Sequence, residues 1–314
     1  MAKIAVQMDP IQFIDINADT TFALILEAFN RGHELFYYNP QNLTFYNGII
    51  TAVGNKIIKL KKEKNNHVVL GKKEVIDLST QDIILLRQDP PFDMTYITNT
   101  HILEKLHPNT FVINNPKEVR NAPEKILVND YIDLIPETMI TRSIDEVIKF
   151  KNEFSEIILK PLYGNGGKQI FHIKKNDPNL HAHLEMFFEI SNEPIIIQKY
   201  IPEVRQGDCR IILINGEIAG AINRVPPTGQ ARSNLHVGGR AEKKKLNKRE
   251  LEICEALGPE LKKRELILVG LDVIGDYLTE INVTSPTGIQ EISYFNGVNI
   301  GAKFWDCVEK LRNI

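Results

Sequence analysis

Residues 3–38 read as strand, helix and strand, and this opening constrains the fold more than any other stretch of the chain. Residues 3–8 form a short apolar run. Phe22, Ile25, Leu26 and Phe29 then recur at helical spacing, with Asp19 or Thr20 placed to cap the helix and Gly32 to stop it. Residues 34–38 return to a strand pattern. Two strands joined through a helix lie parallel, because the crossover brings the chain back to the same end of the sheet. Further strands are expected at 82–87 and 110–114, with a helix around 95–106 between them. The turn after the first strand reads Asp9-Pro10-Ile11-Gln12-Phe13. A dinucleotide-binding fold wants G-x-G-x-x-G there, so that backbone can approach a pyrophosphate, and its absence argues against a dehydrogenase. Gln88-Asp89-Pro90-Pro91-Phe92-Asp93 follows the strand at 82–87. It is either a ligand loop at the carboxyl end of a sheet or a tight turn in which Asp93 caps the next helix.

Composition narrows the class. The 314 residues carry 38 basic and 40 acidic side chains, a net charge of -2, and 43% are hydrophobic. That balance fits a soluble globular chain and argues against a basic nucleic-acid surface. No apolar run reaches the roughly 18 residues that a membrane span needs. Met1-Ala2-Lys3 runs straight into Ile4-Ala5-Val6 without the layout of a secretion signal, so a cytoplasmic protein is expected. Cys209, Cys254 and Cys307 are too scattered for a disulfide framework or a zinc site. The Lys-rich stretch at 56–73 reads as a solvated hairpin before it reads as a basic binding site.

A second unit starts near Pro123, with strands expected at 138–141, 157–162, 169–173 and 195–200 and helices near 144–154 and 181–190. A hairpin follows, from 210–214 through Asn215-Gly216-Glu217 to 218–224. The loop at 225–239, with Pro226-Pro227, Gly229 and Gly238-Gly239, has the composition of a lid. A helix at about 248–263, two strands and a C-terminal helix complete the chain.

Two constellations carry chemistry. In the first, the apolar strand Ile157-Ile158-Leu159 delivers Lys160, and Gly164-Asn165-Gly166-Gly167 follows. Three glycines in four residues let backbone N–H groups wrap an anion, and the lysine adds a point charge. The spacing is not that of a Walker loop, and an ordinary glycine hairpin fits it equally well. In the second, 269–274 and 278–283 read as adjacent antiparallel strands. If the loop between them is the three residues 275–277, Asp272 stands opposite Glu280 and alternation puts Asn282 on the same face. Two carboxylates and an amide oxygen are hard ligands suited to magnesium and bound phosphate. Arg210, Arg224, Arg232 and Arg240 lie on or beside the preceding hairpin and its loop, and arginine forks match carboxylates and phosphates.

With Gln198-Lys199-Tyr200-Ile201-Pro202, Gly207-Asp208-Cys209-Arg210 and Leu278-Thr279-Glu280-Ile281-Asn282-Val283-Thr284-Ser285-Pro286-Thr287, these motifs resemble the bacterial glutathione synthetase family of ATP-grasp ligases along essentially the whole chain. The resemblance implies an α/β ATP-grasp fold: a Rossmann-like N-terminal domain with a parallel sheet at 1–122 and two ATP-clamping α+β lobes at 123–200 and 201–314. It implies ligation of γ-glutamylcysteine to glycine with ATP, through an acyl phosphate, giving glutathione, ADP and phosphate. Another ATP-grasp carboxylate–amine ligase is the alternative. Lys125 and Lys160 would contact the ATP phosphates, together with the turn Gly164, Asn165, Gly166 and Gly167. The hinge Gln198, Lys199, Tyr200 and Ile201 would hold adenine, and Asp208 would lie near the ribose. Magnesium, or manganese, would sit on Asp272, Glu280 and Asn282. Arg210 would stabilise charge at the transferred phosphoryl group, and Arg232 would act from the covering loop. Arg224, Ser285, Pro286 and Thr287 would line the dipeptide site. A homo-oligomer, a tetramer, is implied, with no nucleic-acid or membrane partner. The loop sequence at 226–231, Cys209, Gly288 and Gln290 depart from the family pattern.

Overall fold

Alternate residues of the first strand enter two different cores, and that fixes the N-terminal architecture. The computed structural model describes residues 1–164, 169–227 and 238–314. Strand β1 (Lys3–Gln7) is followed by α1 (Thr20–Asn30), β2 (Glu34–Tyr38), β3 (Leu43–Tyr46), β4 (Ile49–Leu60), β5 (Val68–Asp77), β6 (Ile83–Leu86), α2 (Met94–Glu104), β7 (Phe111–Ile113) and α3 (Pro116–Arg120). Strands β2, β1, β6 and β7 are parallel, and β3, β4 and β5 add an antiparallel flank. Ile4 and Val6 face α1, while Ala5 joins Ile84, Leu103 and Leu106 on the other side. A sheet buried on both faces needs the near-continuous apolar runs seen in the sequence. The Asp19 carboxylate accepts from the Phe22 amide at 2.6 Å, so Asp19 is the cap and Thr20 the first helical residue. Asp93 caps α2 in the same way, at 2.9 Å from the Tyr96 amide. The Lys-rich stretch is the exposed β4–β5 ribbon.

The second sheet is antiparallel throughout, in the order β10, β9, β11, β8: β8 (Thr138–Thr141), β9 (Ile157–Pro161), β10 (Phe171–Ile173) and β11 (Ile195–Lys199). Helices α4 (Ile144–Phe154) and α5 (Leu180–Ile190) cover one face, and Val147, Phe150, Leu159, Leu184, Phe187 and Ile197 form a core of its own. The third sheet has the order β14, β13, β12, β15, β16: β12 (Asp208–Ile214), β13 (Glu217–Val225), β14 (Arg240–Lys243), β15 (Leu268–Ile274) and β16 (Tyr277–Asn282). Helix α6 (Lys248–Lys263) packs under it, and α7 (Ile289–Asn296) and α8 (Ile300–Arg312) lie above its apolar half. Phe304 and Trp305 of α8 join Ile4, Phe22 and Ile25 to Ile212 and Ile222, so the first and third sheets share a core that excludes the second. A sheet with a core of its own can move as a unit relative to its neighbours.

Strands β3 and β14 and helices α3 and α7 escape the sequence reading. Strand β14 reads Arg-Ala-Glu-Lys and has no apolar alternation. Helix α6 keeps its expected bounds. Asn247 accepts from the Glu250 amide at 2.9 Å and Glu250 accepts from the Asn247 amide at 2.7 Å, a reciprocal cap. Replacing Asn247 with alanine is expected to cost about 1 kcal/mol, measured by urea unfolding. The three cysteines are free thiols, with Cys209 and Cys254 buried.

Candidate active site

The site occupies the polar half of one face of the third sheet. In β12, Cys209, Ile211 and Leu213 point toward α6, which leaves Asp208 and Arg210 on the opposite face. Register then sets their neighbours: Arg224 opposite Asp208, Asp272 opposite Arg210, and Glu280 opposite Asp272. The loop between β15 and β16 is two residues long, not three: Ile274 pairs with Tyr277 around Gly275 and Asp276. A bulge at Thr279 absorbs the difference and restores the Asp272–Glu280 pairing. Asn282 stands opposite Gly270 on the same face. A Cβ at Gly270 would lie 2.9 Å from Pro286 Cβ and 3.3 Å from Arg210 Nη1, so glycine there makes room for the arginine.

Two carboxylates facing each other across strands repel. The protein offsets this with its own cations. Arg210 donates to both oxygens of Asp272, Nε to Oδ1 at 2.5 Å and Nη2 to Oδ2 at 2.9 Å. Arg224 Nη2 lies 2.8 Å from Asp272 Oδ2 and 2.6 Å from Asp208 Oδ2. Burial pushes the Asp272 carboxyl up, but the two guanidiniums outweigh it and hold the group below the usual carboxylate range. Burial likewise opposes the Arg224 charge, and Asp208 and Asp272 hold that guanidinium above its ordinary value. Arg224 Nε is buried with no acceptor among the described residues. This Arg–Asp network, of which the sequence reading had only the separate members, is the main addition the structure makes.

Lys160 leaves β9 on the facing sheet and is buried. Desolvation pulls its ammonium down to about 8, against the attraction of Glu280; Lys125 adds to the fall, while Asp208 and Asp272 resist it. Lys125 is also buried, donates to the Gly164 carbonyl at 2.5 Å and lies 3.7 Å from Glu280 Oε1. Both lysines therefore meet the carboxylate face. At the expected hinge, Gln198 Nε2 donates to Thr138 Oγ1 at 2.9 Å, the Lys199 amide to the Glu137 carbonyl, and the Tyr200 amide to the Glu156 carbonyl. Tyr200 stacks on His172 at 3.9 Å, which fixes the direction in which the chain leaves β11 toward Ile201. Ser285 and Pro286 are buried, and Arg210 Nη1 donates to the Thr287 carbonyl at 3.1 Å. The buried Arg87 holds the same segment from the N-terminal sheet through the carbonyls of Thr284 and Pro286. Arg87 was not singled out in the sequence, where nothing marks a single arginine at a strand end. Asn165, Gly166, Gly167 and Arg232 lie outside the described residues.

A cleft between the three sheets is lined by Pro90, Phe92, Pro123, Glu124, Lys125, Leu162, Tyr163, Gly164 and Thr284. Glu124 accepts from Thr284 Oγ1 at 2.7 Å. Burial pushes its carboxyl up to about 7; Lys125 opposes this, Glu280 reinforces it, and Thr284 and Arg210 act to lower it.

The donor set suits a divalent cation. Among the described residues no group of three His, Cys, Asp or Glu side chains is placed to cage a metal. Two carboxylates and an amide oxygen instead match a hard cation that brings phosphate oxygens with it. Of the roughly four lone-pair sites on Asp272, three are taken by guanidinium N–H groups, which leaves one on Oδ1.

Two sheets closing on a row of acids and lysines, beside an N-terminal parallel sheet, define an ATP-grasp enzyme. Solved structures agree on the fold: D-cycloserine synthetase DcsG superposes with a TM-score of 0.68 at 14% identity, over 96% of this chain and 98% of its own. A RimK domain ATP-grasp protein from Sphaerobacter thermophilus gives 0.63 at 16% identity, over 98% and 99%. Residues 2–120 match the prokaryotic glutathione synthetase N-terminal domain and residues 124–297 its ATP-grasp domain. The glutathione synthetase of Brucella melitensis biotype 1 is 57% identical over 310 residues, 99% of each chain, and that of Shewanella oneidensis 41% identical over 312 residues, 98% of each. The chain belongs to the prokaryotic glutathione synthetase family.

Proposed function

We propose that this chain joins γ-glutamylcysteine to glycine with ATP, forming glutathione, ADP and phosphate. The observation that carries the reading is the meeting of Lys125 and Lys160 with Asp272, Glu280 and Asn282 across the clamp. A carboxylate does not acylate an amine at neutral pH, so it must first gain a leaving group. The cysteinyl carboxylate oxygen attacks the γ-phosphorus, ADP departs, and an acyl phosphate forms. The glycine nitrogen then attacks the acyl carbon, the C–O bond to phosphate breaks, and the amine proton is lost.

In this reading Lys125 and Lys160 hold the phosphates, and the hinge at 198–201 takes adenine. Asp272, Glu280 and Asn282 hold magnesium or manganese, which when bound would neutralise phosphate charge. Arg210, fixed by Asp272, faces the oxyanion that develops at the acyl carbon; a preorganised donor of this kind is worth roughly 3–4 kcal/mol of barrier. The buried Nε–H of Arg224, which has no acceptor among the described residues, serves a substrate acceptor in this reading. The separate core of the second sheet lets it close and exclude water, which an acyl phosphate requires. We read 1–122, 123–200 and 201–314 as the working units, the assembly as a homotetramer and the compartment as the cytoplasm. Among the described residues no helix is long and apolar enough to cross a membrane.

The test is phosphate release from ATP and magnesium with γ-glutamylcysteine and glycine supplied singly and together. Release that requires both is the expected result. Silence with this pair but turnover with another acid and amine would move the chain to a different carboxylate–amine ligase.

A further inference from the structure

The acids of the site are not equivalent. Asp272 is bracketed by Arg210 and Arg224, Asp208 pairs with Arg224, and Glu280 lies within ion-pair distance of Lys125. Glu124 accepts a neutral hydroxyl from Thr284 and makes no ion pair among the described residues. Its backbone is fixed alongside β16, where the Ile281 amide donates to the Glu124 carbonyl at 3.1 Å. Its side chain lines the cleft among Pro90, Phe92, Leu162 and Tyr163. A buried carboxyl whose only side-chain partner is a neutral hydroxyl is a site for a small cation, which would favour its ionised form.

The reaction brings two ammonium groups, one on glycine and one on the glutamyl end of the dipeptide. The glutamyl ammonium sits at the far end of the dipeptide from the reacting carboxylate. Glu124 is next to Lys125 and within electrostatic reach of Glu280 and Arg210, beside the reacting centre. Building on the ligase reading above, we propose that Glu124 binds the ammonium of the incoming glycine and takes its proton, which sets the enzyme's selectivity for a charged amine. One N–H proton passes to the carboxylate, the freed lone pair attacks the acyl carbon, and phosphate leaves with the electrons of the C–O bond and takes up the second N–H proton that the amide nitrogen must lose. The surrounding cations, Lys125, Lys160 and Arg210, are suited to phosphate and carboxylate and cannot serve an ammonium.

The experiment compares two nucleophiles in wild type and Glu124→Gln. Hydroxylamine is largely uncharged at neutral pH and traps acyl phosphates as hydroxamates, so it needs no ammonium site. The variant is expected to raise the KM for glycine about 10- to 100-fold, the scale of a lost charge-assisted hydrogen bond. Hydroxamate formation from ATP, γ-glutamylcysteine and hydroxylamine should stay close to wild type. Equal loss with both nucleophiles would place Glu124 upstream, in phosphoryl transfer or folding, and would overturn the proposal. Unchanged glycine kinetics would overturn it as well. Wild-type silence with γ-glutamylcysteine and glycine would instead refute the ligase reading, so the two failures are separable.

Discussion

Asp272→Asn is expected to lose about 3–5 kcal/mol of folding stability and to lower turnover at least about a hundredfold. The carboxylate is buried between two buried guanidiniums, and side-chain exposure is 6% for Asp272, 5% for Arg210 and 4% for Arg224. Asparagine keeps the shape but leaves Arg210 with only neutral acceptors and Arg224 with Asp208 alone. Uncompensated buried charge, not the lost pair energy, dominates such a cost. Glu280→Gln separates the catalytic share. Glu280 is 22% exposed and its nearest cation among the described residues is 3.7 Å away, so its loss should impair turnover with little effect on folding. Urea unfolding and phosphate release on both variants check this. An Asp272→Asn protein as stable as wild type would show that the arginine network does not depend on that charge.

Lys160→Met is expected to do the opposite to stability. The ammonium is buried on β9 and its pKa falls from 10.5 to about 8, chiefly by desolvation. At about 1.4 kcal/mol per unit, keeping it charged costs the nucleotide-free fold roughly 3 kcal/mol. The sign follows from linkage. Because the folded pKa is the lower one, this group's favourable contribution is complete above the unfolded value of 10.5 and lost as pH falls through 8. Methionine should therefore stabilise the free protein most below pH 8, with the gain shrinking toward pH 10.5, while ATP-dependent turnover collapses by two orders of magnitude or more. Thermal or urea unfolding at pH 7 and pH 10, without nucleotide, measures the difference. A variant less stable than wild type at pH 7 would mean that the carboxylates of Glu280, Asp208 and Asp272 already outweigh the burial cost. Such a trade between stability and activity is the usual mark of a residue kept for binding a ligand.

The legible parts of this protein were those governed by short periods. The parallel opening follows from a strand–helix–strand pattern, and α6 has caps and stripe in one contiguous segment. Asp272, Glu280 and Asn282 share a face because side chains alternate along strands. That pairing survived an incorrect loop length only because the bulge at Thr279 offsets it. Strand β14 was missed because its four residues carry charge where an apolar alternation would mark a strand.

The sequence by itself determined most of the elements, the shared face of Asp272, Glu280 and Asn282 and the family, since all of these rest on local spacing and contiguous motifs. Only the tertiary structure decided which charges compensate which. Arg224 meets Asp208 and Asp272, Thr284 meets Glu124 from 160 residues away, and Lys125 spans from the Gly164 carbonyl to Glu280. Burial energetics force these pairings, because a charge removed from water must find a partner. Which partner it finds depends on how three sheets close on one another, and no local period in the chain records that.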